Sequence, residues 1–122
     1  MELLVLDGAL AVCRLPPDAD VPAECGEFHA VVRTPDEVSL VCSEGNAPDG
    51  VDVSGGWRAL RVAGTLDHSL TGILSALAGP LARAEIPIFA ISTFDTDYVL
   101  VPGDRLDAAV TALETAGHTR RR

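Results

Sequence analysis

Asp95 and Asp97 stand two residues apart in IPIFAISTFDTDYVLVP (residues 86–102), where two apolar, branched runs meet. Three kinds of chemistry suit such a pair. General acid–base catalysis uses two carboxylates, but it also needs a nearby His, Lys or metal-spaced partner, and this stretch has none. A turn uses Asp to bond local amides, and one Asp is enough. A carboxylate at the corner of a sheet can also hold a ligand's ammonium group through charge-assisted hydrogen bonds. The segment AGTLDHSLTGI (residues 63–73) offers the opposite charge preference. It joins a strand to a helix, and a helix start leaves N–H groups unpaired that favour an anion. Gly72 lets a ligand approach that backbone closely. Asp67 or Ser69 acting as a simple helix cap is the competing reading. Taken together, the two segments place an anion site and a cation site on neighbouring elements. A free amino acid carries both charges on one carbon.

Other reactive residues form no motif. His29, His68 and His118 have no metal-ligand spacing, and Asp67-His68 is too little for a zinc site. Cys13, Cys25 and Cys42 are odd in number and widely spaced, with no C-x-x-C pair, so they are expected to be free thiols. No P-loop, dinucleotide fingerprint or nucleophile elbow is present, and no cofactor is called for.

The elements that position these residues follow from periodicity. Residues 2–6 and 10–15 are short apolar runs around Asp7-Gly8, a dipeptide favoured in hairpins. Residues 27–33 read as a strand, and Thr34-Pro35 resembles a helix start cut short by the β-like run Val38–Cys42. Residues 43–56, rich in Gly, Pro, Asp and Asn, form the strongest break. Residues 57–62 then read as a strand. Leu70, Ile73, Leu74, Leu77 and Leu81 recur at helical spacing over residues 69–84, with a bend expected at Gly79-Pro80. The two strands of residues 86–102 follow, and a last helix runs from about Asp104 to a stop at Gly117. The second half is thus strand, helix, strand, strand, helix, which is five-sixths of a ferredoxin-like βαββαβ unit. Because the residues after Gly117 are polar, the missing sixth strand is expected to come from the first half.

The 122 residues, 48% hydrophobic, suffice for one compact unit or two small packed halves. A net charge of −9 argues against nucleic acid and anionic membrane surfaces as partners. No stretch approaches the roughly 20 apolar residues of a membrane span, and a cytoplasmic setting is expected.

The stretch GTLDHSLTGILSALAGPLARAEIPIFAISTFDTDYVLVP resembles the ACT-domain family. In particular it is similar to the branch containing the regulatory ends of aspartate kinases and the CASTOR-like eukaryotic arginine sensors. The signature I-S-T-[FY]-x-T-D-Y-[VIL]-L-V is matched throughout residues 91–101, and the G-W-R-x-L-R-V strand of residues 56–62 also fits. The resemblance is strong over residues 56–117 and rests on RTPDEVSLVCSE in the first half.

The resemblance implies an α+β fold of tandem ferredoxin-like, ACT-like βαββαβ halves, residues 1–55 and 56–122, with strand exchange between them. It also implies non-catalytic amino-acid sensing. Carried over by position, the ligand site comprises Asp67, Ser69, Leu70, Thr71, Gly72 and Ile73 with Phe94, Asp95, Thr96 and Asp97. In this reading Asp97 faces the ligand and Asp95 shapes the turn. Leu70 stands where the arginine sensors are acidic, and Thr96 where they are aromatic, which argues against arginine. The expected partner is a small molecule, an amino acid, with a homodimer or a protein partner left open. A structural or interaction module with a vestigial pocket is the alternative. A small enzyme using Asp or Cys with a histidine is the third reading.

Overall fold

The computed structural model describes residues 1–121 and divides into two units: residues 8–57, and residues 1–7 with 58–121. The smaller unit holds β2 (Leu10–Leu15), β3 (Ala30–Arg33), β4 (Val38–Ser43) and the start of β5 (Asp52–Val62). β4 lies between β3 and β2, antiparallel to both, and residues 52–57 of β5 pair with the other edge of β2. Cys13, Cys25 and Cys42 are free and pack in its core with Val38 and Leu40. Burial and the neighbouring thiols push the Cys42 thiol up to about 11, which leaves it protonated and unreactive near neutral pH.

The described residues of this unit contain no α-helix. The helix start read at Thr34 is instead the turn between β3 and β4. Thr34 Oγ1 accepts from the amides of Asp36 (3.2 Å) and Glu37 (3.1 Å), and the Thr34 amide donates to the Glu37 carbonyl (2.9 Å). A capping residue caps turns and helices alike, and the branched run after it continues the sheet. β5 likewise begins inside the segment read as a loop. Its register against β2 shifts between Leu10 and Val12, where Gly55-Gly56 oppose a single residue. Gly56 sits at φ 75°, a left-handed conformation that glycine adopts without strain. The glycines that suggested a loop therefore mark a bulge.

The larger unit is built on residues 58–62 of β5, then α1 (Ile73–Arg83), β6 (Phe89–Ser92), β7 (Asp97–Pro102), α2 (Leu106–Thr115) and β8 (Thr119–Arg120). Residues 1–7, grouped with the first half on sequence grounds, fold here. β1 (Glu2–Val5) pairs antiparallel with β5 through Leu3↔Val62 and Val5↔Leu60. The anticipated Asp7-Gly8 hairpin is not formed, because β1 pairs with β5 and β8 and not with β2. Leu3 shares the larger core with Leu60, Val62, Leu77, Leu81, Val99, Val101 and Leu113. A sixth strand does follow Gly117: β8 pairs parallel to β1 through Glu2↔Thr119. Its polarity is accommodated because both its residues are exposed. The order is β8-β1-β5-β7-β6, a mixed sheet with β1 taking the closing position beside β5.

Both helices end in the same hydrogen-bond pattern. After α2 the amides of Gly117 and His118 return to the Glu114 (3.0 Å) and Leu113 (3.0 Å) carbonyls, with Gly117 at φ 101°. After α1, Glu85 and Ile86 return to Ala82 (3.0 Å) and Leu81 (2.9 Å). Here the left-handed position is held by Glu85, φ 59°, the one non-glycine residue with positive φ among those described.

α1 starts at Ile73, four residues later than its periodicity predicts, and it runs through Gly79-Pro80 without ending. Pro80 cannot donate to the Ala76 carbonyl four residues earlier. His118 fills the vacancy, its Nε2–H donating to that carbonyl at 3.0 Å. Since Nε2 must be the donor, the neutral ring's Nδ1 is an acceptor, and it receives the Met1 nitrogen at 3.0 Å.

Glu85→Gly is expected to stabilise the protein by about 0.5–1 kcal/mol, by relieving the left-handed strain. His118→Ala is expected to destabilise it by about 1–3 kcal/mol, because the Ala76 carbonyl loses its donor. Urea unfolding of both variants checks these values, and a neutral His118→Ala would mean that the proline gap is satisfied by solvent.

Candidate functional site

The loop after β5 and the turn between β6 and β7 meet through backbone bonds. Ser92 and Asp97 are register partners at the turn end of the β6–β7 hairpin. Thr93 closes the turn: its amide donates to the Thr96 carbonyl (2.8 Å) and its Oγ1 accepts from the Thr96 amide (3.2 Å). The turn is therefore shaped by threonine, where the sequence suggested Asp95. Asp95 contributes its carbonyl, which accepts the Leu66 amide at 2.7 Å, while its residue is exposed. Thr96 is 6% exposed and its hydroxyl donates to the Val62 carbonyl at 3.0 Å. That carbonyl also receives Arg61 Nε at 3.3 Å.

His68 adds a side-chain strap that sequence reasoning missed. Its Nε2 donates to the Phe94 carbonyl at 2.5 Å, and its ring meets the Phe94 ring edge-on, centroids 4.3 Å apart. A search limited to metal and nucleophile spacings does not register a histidine bonded to backbone. All three histidines do this, His29 and His118 donating to the Gly26 and Ala76 carbonyls.

Between loop and turn lies a cavity of about 280 Å³. Of the ten residues expected at the site, Asp67, Leu70, Gly72, Ile73, Phe94, Asp95, Thr96 and Asp97 line it, whereas Ser69 and Thr71 do not. His68, Leu74 and Ser92 line it in addition. The late start of α1 explains the difference. Residues 67–70 form a separate turn in which Asp67 Oδ1 accepts the Ser69 amide (2.8 Å) and the Asp67 carbonyl accepts the Leu70 amide (3.0 Å). Asp67 thus caps this turn, not the helix, and the Ser69 amide holds its carboxyl below the usual carboxylate range. The helix proper begins after Gly72, which is left-handed, and no side chain caps its first turn. A Cβ on Gly72 would meet nothing within 4 Å, so the backbone there is open. Across the cavity, Asp97 Oδ1 accepts the Ser92 hydroxyl at 2.5 Å, which orients the carboxylate. The lining contains three carboxylates and no Lys or Arg. Among the described residues, no group of three or more His, Cys, Asp or Glu is placed to hold a metal ion, and no helix is long and apolar enough to cross a membrane.

Fold and site together define an α+β architecture, a mixed sheet with two α-helices among the described residues and a pocket between a helix start and a hairpin turn. The ACT-domain family model matches residues 52–115, over half of the chain, and the chain belongs to that family. A second model, described as an N-terminal domain, matches residues 8–50. The crystal structure of protein Atu0741 from Agobacterium tumefaciens is similar over 98% of this chain and 91% of its own, with TM-score 0.91 and 34% identity. The regulatory subunit of aspartate kinase from Thermus thermophilus shares the fold, with TM-score 0.64 at 14% identity over 92% of this chain and 94% of its own. The human cytosolic arginine sensor for mTORC1 subunit 1 is 41% identical over 59 residues, which is 48% of this chain and 18% of that protein. The chain therefore spans less than a fifth of that relative's length.

Thr96→Val keeps the shape but removes the hydroxyl. With Arg61 still donating to Val62, the expected cost is about 1 kcal/mol, with chemical-shift changes reaching residues 62–68. Changes confined to the hairpin would show that the loop is held by other contacts.

Proposed function

We propose that this chain is a non-catalytic regulatory protein of ACT type that binds a free α-amino acid and passes its occupancy to a partner. The observation that carries the reading is the cavity with a helix start on one side and a Ser92-oriented Asp97 on the other. The ligand's carboxylate meets the uncapped first turn of α1, where N–H groups favour an anion, and its ammonium meets Asp97. The similarity to the arginine sensor and to the aspartate kinase regulatory subunit supports ligand-dependent regulation as the working mode. Such proteins act by binding one conformational state better than another, not by bond making. The buried thiols, with Cys42 raised to about 11, favour this reading over nucleophilic catalysis.

A thermal-shift screen against the common amino acids should find a stabilising ligand, since a ligand that binds only the native state raises apparent stability. Asp97→Asn should then weaken that ligand's binding by roughly one to two decades, the equivalent of a charge-assisted bond of about 1.5–3 kcal/mol. Asp95→Asn should change it far less. Calorimetry on the two variants makes the comparison. Equal affinity of Asp97→Asn and wild type would refute the site. Absence of any amino-acid ligand would favour a structural or interaction module with a vestigial pocket.

A further inference from the structure

Three of the seven large apolar side chains that stay exposed among the described residues line this cavity, the others being Val31, Val32, Val53 and Phe89. Phe94 is 81% exposed, Leu70 52% and Leu74 37%, and all three line it. Leu70 and Leu74 share the helical spacing of the core residues, yet α1 buries only Leu77, Pro80 and Leu81, with Ile73 partly buried against the core. The late helix start explains this. Leu70 falls in the turn before α1, and Leu74 lies in the first turn, over the cavity. Exposed apolar area that lines a concavity marks a surface that gains from being covered.

The polar groups leave little for a charged ligand tail. Asp67 is engaged by its own turn, and Asp97 is held by Ser92 and taken by the α-ammonium in the reading above. Asp95 sits on an exposed residue, where solvent screening weakens an ion pair. An anionic tail would face three carboxylates with no Lys or Arg in the lining. At about 280 Å³ the cavity is near the lower end of ligand pockets, suited to one small molecule.

We propose that the ligand is an amino acid with an aliphatic side chain, selected by Leu70, Leu74 and Phe94. This rests on the amino-acid reading of the same cavity. The ligand's tail removes apolar surface from water against these three residues, and neither a guanidinium nor a carboxylate tail finds a partner of comparable worth.

Calorimetric titration with L-leucine, L-alanine and L-arginine tests the inference, on wild type and on Leu70→Ala. Leu70 is exposed and outside both the helix and the core, and an unchanged melting curve verifies that the variant folds. Wild type should bind leucine at least tenfold tighter than either alanine or arginine. Leu70→Ala should lose about five- to tenfold in leucine affinity while its alanine affinity stays within twofold. Arginine binding as tightly as leucine, or leucine no tighter than alanine, overturns the aliphatic selection but leaves the amino-acid reading standing. If none of the three binds, and no other amino acid does, both fall.

Discussion

The architecture of the site depends on one fastening, the bonds that join the end of β5 to the β6–β7 turn. Thr96 is buried where most polar side chains are exposed, and its hydroxyl reaches the Val62 carbonyl at the point where β5 ends. Four residues on, the Leu66 amide reaches Asp95, and His68 then bonds to Phe94. Buried backbone groups must find partners. Here the strand end and the turn satisfy one another, and the loop that follows has to pass over the hairpin. The cavity is the space left between them. The same constraint sets Asp97 opposite the start of α1, because Asp97 is the first residue of β7 after a turn whose position is thereby held.

A second constraint concerns α1 and its proline. An internal proline costs a helix roughly 3 kcal/mol or more when the freed carbonyl and the ring clash go uncompensated. His118, just past the end of α2, returns a donor to Ala76. Pro80 is itself buried, so the residue that weakens the ladder contributes to the core. Through this bond the two helices and the closing strands share an anchor near β1, whose Leu3 completes the core.

Much of this was legible in the sequence, and the misses share a cause. The apolar runs of β6 and β7, the core face of α1 and the Gly117 stop all follow from period and composition. A strand from the first half was expected beside β5 because none was expected after Gly117; β1 does take that place, but it belongs to the larger unit and β8 also follows Gly117. Local signals failed where one residue type serves two geometries. Thr34 caps a turn as readily as a helix. Gly55-Gly56 make a bulge as readily as a loop. Leu70 fits a helical period but lies in a turn closed by Asp67. The hairpin's part of the cavity lining was legible in type and place, whereas the absence of Ser69 and Thr71 from the lining and the presence of His68 were not, since these depend on where α1 starts. The assignment of the turn to Asp95 does not hold. Thr93, not Asp95, closes the turn, and that leaves both hairpin carboxylates on the cavity.

The central claim is that the loop of residues 66–74 and the hairpin of residues 92–97 act together as one small-molecule site. Amide chemical-shift mapping during titration with L-leucine tests it most directly, because it reports each residue separately. The account predicts saturable shifts concentrated at residues 66–74 and 92–97, with residues 10–57 essentially silent. Saturable shifts centred in residues 10–57, or on only one of the two segments, would contradict it.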